Sequence, residues 1–142
     1  MNRPPSSGRR TRDRGSVAVE FALVLPVLLL IVFGIIDFGR ALNAQIVLTG
    51  AAREGVRLAA LGYPDAAVQA RAAAAASDLS GITVAVAESC QPGAGPTADA
   101  VVNVSYTFSF ITPIGALVGV FGGGGLGAPI VLTAQGVMSC ET

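Results

Sequence analysis

No histidine occurs anywhere in the 142 residues, which removes imidazole acid/base chemistry, the common serine triads and most zinc sites. Cysteine is nearly absent as well: Cys90 and Cys140 are the whole complement, and two thiols without an imidazole make a weak metal site. The carboxylates from Asp37 onward are scattered over helices and loops. None forms a spaced pair in apolar surroundings of the kind that raises a carboxyl pKa. Gly122 to Gly125 are consecutive glycines, but they lack the Lys-Ser/Thr ending and the βαβ setting of a phosphate cradle. The expectation is a protein that is not an enzyme, with no cofactor and no metal.

Charge is sparse, and its placement matters more than its balance. Arg3, Arg9, Arg10, Arg12 and Arg14 face only Asp13 at the start of the chain. After the apolar run, Arg40, Arg53, Arg57 and Arg71 are outnumbered by Asp37, Glu54, Asp65, Asp78, Glu88, Asp99 and Glu141. Positive residues flanking a membrane segment stay on the cytoplasmic side. The leader is therefore placed inside and everything after Asp37 outside, and the arginines are read as a topology signal and not as a nucleic-acid site.

Between the two lies the one long apolar run. Sixteen residues from Phe21 to Ile36 carry no charge, and extension back to Val17 gives twenty with Glu20 as the only ionisable group. At 1.5 Å per residue this is ~30 Å of helix, the thickness of a hydrocarbon core. A secretory signal peptide competes for the same features, but its apolar part is shorter and ends at a small-x-small site, which Ile35-Ile36-Asp37-Phe38-Gly39 does not resemble. Pro26 is expected to kink the span without breaking it. Glu20 is the anomaly, because a carboxylate at the bilayer centre costs about 2.5 to 3.5 kcal/mol.

Gly15-Ser16-Val17-Ala18-Val19-Glu20-Phe21 puts a glycine just before the apolar stretch and a glutamate five residues after that glycine. Pro26, Phe33-Gly34, Asp37-Phe38-Gly39-Arg40 and Ala52-Arg53-Glu54-Gly55-Val56-Arg57 follow. On these residues the region from Gly15 to Leu61 resembles the TadE-like pseudopilins of tight-adherence (Tad/Flp) pilus systems. The resemblance implies cleavage between Gly15 and Ser16 by a prepilin peptidase of the membrane. It further implies insertion among other pilin-like subunits on an inner-membrane pilus platform, and a structural role in pilus assembly, secretion and adhesion. Cleavage would place the new α-amine of Ser16 about one helical turn from Glu20, so the amine of one subunit pairs with Glu20 of its neighbour in a dry environment. Many type IV pilins present an N-methylated aromatic residue first, whereas this chain presents Ser16. Asp37, Arg40, Arg53, Glu54 and Arg57 are the candidate subunit contacts, with Asp37 near Arg40 and Glu54 near Arg57 at i,i+3 spacing.

Four regions follow: residues 1–15, a cleaved cytoplasmic leader; 16–37, the transmembrane helix; 38–62, an amphipathic helical stalk; and 63–142, a small extracytoplasmic domain. Leu42, Ile46, Thr49, Ala52, Val56, Ala59 or Ala60 and Tyr63 recur at three- and four-residue steps and are read as the stalk's apolar stripe, to be covered by the small domain or by another subunit. A second helix is expected over Ala66 to Leu79, and strands at Ile82–Val86, Val102–Phe110 and Ile130–Met138. Pro92, Gly93, Gly95 and Pro96 mark a connection between the first two strands. Ile111 to Pro129, apolar and rich in glycine, is left open between a cover for one end of the core and an exposed contact for another component. Cys90 and Cys140 either form a disulfide, stabilising by roughly 3 to 4 kcal/mol on the loop-entropy model, or stay as two buried thiols. The fold class is α+β and pilin-like. The competing readings are an unprocessed single-pass envelope protein with a small binding domain, and a secreted disulfide-bonded domain.

Overall fold

The computed structural model describes residues 10–140 apart from 92, 94, 96, 121 and 123–126. Arg3 and Arg9 of the leader, Pro92 and Pro96 of the expected connection, Gly123 to Gly125, and Glu141 lie outside the described residues. Helix α1 covers Arg10–Ala60, 51 residues, and is ~77 Å long at the standard rise. Then come α2 (Asp65–Ala75), β1 (Thr83–Glu88), β2 (Asp99–Phe108), α3 (Ile114–Val120) and β3 (Ile130–Ser139). A long apolar helix, a short helix and a small antiparallel sheet make the α+β arrangement that the sequence leads one to expect.

Several boundaries differ from the sequence reading, among them β1, which runs Thr83–Glu88 and not Ile82–Val86, and β2, which runs Asp99–Phe108 and not Val102–Phe110. The chain is already helical at Arg10, ahead of Ser16, since arginine is a good helix former and a single Gly15 costs only ~1 kcal/mol in a helix this long. Helix α2 stops at Ala75, before Ser77 and Asp78, which bond their own backbone more readily than they extend a helix. The segment from Ile111 to Pro129 contains a further short helix, α3, whose glycines hid it from a reading by propensity.

The sheet order is β1-β2-β3, antiparallel throughout. Alternation along β2 buries Ala100, Val102, Val104 and Phe108 on one face, as a strand covered on one side requires. Ile82, Val84 and Val86 beside it, and Leu132 and Ala134 on the other flank, pack against the same core. On the far face Gln135 Nε2 donates to Asn103 Oδ1 at 3.0 Å.

The inner face lies on α1, and three contacts fix its direction. Gln45 Nε2 donates to the Thr133 carbonyl at 2.8 Å, Gly136 packs on the Ala52 carbonyl, and the Cys90 N–H donates to the Ala59 carbonyl at 3.2 Å. Cys90 is bonded to Cys140 with their Cα atoms 5.6 Å apart. Strand β3 therefore runs alongside α1 in the same direction, and β2 runs back toward the apolar half of the helix.

The small domain covers only part of the expected stripe of α1, namely Ala52, Val56, Ala59 and Ala60. Ala44, Leu48, Ala51, Ala52, Val56, Ala59 and Ala60 are buried, whereas Leu42 and Ile46 are exposed, and so is Tyr63. A carbon added at Gly136 would sit 2.5 Å from the Ala52 carbonyl oxygen, so the sheet approaches a face made of alanine. Bulky side chains are turned away from a contact that close.

Candidate functional site

The first half of α1 presents almost bare aliphatic surface. Val17, Phe21, Leu23, Val24, Val27, Leu28, Ile31 and Ile35 are all exposed, and this is the one helix among the described residues long and apolar enough to cross a membrane. Gly15, Ser16 and Glu20 lie on its first turns, all exposed. Among the described residues, nothing beyond the helix's own backbone lies within 4 Å of where a Gly15 side chain would begin. Helix α1 continues through Pro26.

Where the bare half meets the small domain, Asp37 is 1% exposed. Its carboxylate accepts the Ile111 backbone N–H at 3.3 Å, the Thr112 hydroxyl and the Arg40 guanidinium at 3.3 Å. Arg40 also donates to the Ser109 carbonyl at 3.4 Å and lies 5.1 Å from the Phe108 ring centroid. The ion pair read from i,i+3 spacing is present, and its remaining partners belong to the strand end of the same chain. A buried carboxylate needs such donors, because its desolvation is offset only where they converge. Spacing along α1 gave no hint of Thr112, which is 75 residues away.

Glu54 does not reach Arg57. It accepts from Arg71 of α2, at 3.1 Å from Nε and 2.8 Å from Nη2. Helix α2 lies against this part of α1, burying Val68 and Ala72, with the Ala72 methyl 3.2 Å from where a Gly55 side chain would begin. Arg71 is thereby carried to Glu54. Arg53 and Arg57 are exposed. Arg53 closes one end of a groove of about 370 Å³ along Leu42, Gln45, Ile46, Thr49 and Gly50, on the outward side of the stalk.

The disulfide between Cys90 and Cys140 resolves the two alternatives left by the sequence and ties the end of β3 to the loop beside Ala59. Among the described residues, no three His, Cys, Asp or Glu side chains gather as a metal site would require.

Residues 15–57 match the family described as TadE-like protein. The match opens at Gly15, runs through Glu20, Pro26, Asp37 and Arg40, and closes at Arg57, so it lies within α1 and stops short of the small domain. Neither the curated proteins nor the solved structures contain a match to the chain.

Proposed function

We propose that this chain is a pilin-like structural subunit, a pseudopilin or minor pilin, of a tight-adherence pilus assembly and secretion apparatus. One observation carries the reading. The TadE-like match starts at Gly15, on a helix whose first half is bare aliphatic surface and whose second half is covered by a small disulfide-closed domain. A rod of this kind leaves its apolar half to be covered by lipid before assembly and by other subunits after it.

In this proposal the leader stays in the cytoplasm, a prepilin peptidase cuts after Gly15, and the Ser16 amine of one subunit pairs with Glu20 of its neighbour. The small domain stands outside the inner membrane. Leu42, Ile46 and Arg53 offer a groove to a neighbouring stalk, with Arg57 beside it. The role is structural and not enzymatic.

The test is the mature N-terminus in cells that make the pilus. Mass spectrometry should find Ser16 first, and Glu20→Ala should abolish or sharply reduce piliation while the protein remains in the membrane. An intact leader would leave an unprocessed anchored envelope protein. A start beyond Gly39 would leave a secreted domain that has lost the Asp37 contacts.

A further inference from the structure

The Asp37 cluster is the point where the chain turns down the apolar half of α1. Strand β2 ends at Phe108, and Ile111 and Thr112 are held at Asp37. Beyond them α3 packs on α1, with Val118 lining one hollow together with Val27, Leu30 and Ile31. Those residues lie six to ten positions before Asp37, which is ~9 to 15 Å down the helix axis. Helix α3 therefore lies alongside the segment read as membrane-spanning.

A segment that packs beside a transmembrane helix shares its depth in the bilayer. We propose that α3 is a second membrane-embedded element, a short helix that leans on α1 in the leaflet nearer the small domain and meets lipid acyl chains. The inference rests on the reading of α1 as a membrane span.

Three further features suit that environment. From Ala100 to Cys140 no residue is charged, so the descent buries no ion. Backbone groups in lipid must be paired within the protein, and a helix pairs part of its own: the Leu117 N–H donates to the Pro113 carbonyl at 3.0 Å and the Gly122 N–H to the Gly119 carbonyl at 3.1 Å. The returning chain packs closely at Gly127, where an added carbon would lie 3.1 Å from the Gly115 α-carbon. Such glycine contacts let backbones approach where no hydrophobic force drives packing. The depth reached by α3 is about half of a ~30 Å hydrocarbon core, which places it within one leaflet.

The chain contains no tryptophan, so one introduced residue is a unique fluorescent reporter. Full-length Ala116→Trp and Val118→Trp are reconstituted into phosphatidylethanolamine/phosphatidylglycerol vesicles, with Leu28→Trp on α1 and Gln135→Trp on the outer sheet face as references. The expected result is blue-shifted emission from both α3 variants, quenched by acyl-chain spin-labelled lipid to within about twofold of Leu28→Trp at similar depth. Aqueous iodide should quench only Gln135→Trp. Iodide quenching of the α3 variants, with Leu28→Trp protected, overturns the inference and leaves the span intact. Protection of α3 from both quenchers overturns it in favour of a protein neighbour, such as the α1 of a second copy. Failure of lipid to quench Leu28→Trp would sink the membrane span itself.

Discussion

At the scale of single residues, Asp37 does the most with the least. It binds its own helix through Arg40 and the far strand end through Ile111 and Thr112, so its removal unpairs donors on both sides at once. Hydrogen bonds to a charged group are worth ~1.5 to 3 kcal/mol, and unpaired buried donors add to the loss. Asp37→Ala should lower the unfolding free energy by about 2 to 3 kcal/mol, and Asp37→Asn, which keeps an acceptor, by less. Denaturation in detergent measures both, and faster exchange of the Ile111 amide localises the effect. The Glu54–Arg71 pair looks stronger by distance but is about half exposed on both sides, and exposed pairs contribute only ~0 to 1 kcal/mol. Short-range charge spacing made Asp37–Arg40 legible in the sequence. It misassigned Glu54, because the i,i+3 rule knows nothing of an arginine delivered by another helix.

Among elements, the decisive contact is α1 against β3. Gly136→Ala would drive a methyl into the Ala52 carbonyl, which overpacks a rigid backbone and should cost ~1 to 3 kcal/mol or more. Gly50, on the outer side of the same helix, has nothing within 4 Å. Gly50→Ala should raise stability by ~0.5 to 1 kcal/mol through helix propensity alone. Opposite shifts in the denaturation midpoints of the two variants are the check. This contact also explains the limits of reading the stalk. Alternation made β2 plain, since Val102 and Val104 face inward with Asn103 and Ser105 between them. Hydropathy on α1 selected Leu42 and Ile46, yet close packing selects for small volume, and Ala44 and Ala51 carry little hydrophobic signal. Helix α3 escaped for a related reason, since Gly115 and Gly119 weigh against helix in water, whereas packing on α1 supports it.

As a whole, the molecule is a rod that carries one small domain, and a disulfide staples that domain to itself. Cys90 and Cys140 close a loop with a sequence separation of 50, so the Cys90→Ser/Cys140→Ser pair should lose roughly 3 to 4 kcal/mol. A lower denaturation midpoint of the domain, with the helical signal of the apolar half of α1 retained, would show that the bond serves the domain and not the span. The two cysteines and their surroundings were legible from position alone. Their role in placing β3 was not, because nothing in the sequence says which way the last strand runs.

That direction has a mechanical consequence. Because β2 and β3 lie along α1, a pull that slides β3 along the rod loads their ladder of hydrogen bonds sideways and all together, instead of peeling them apart one by one. The sulfur bridge ties the end of β3 to the loop after β1, so resistance to such a pull belongs to the covered half of the rod and not to its apolar half.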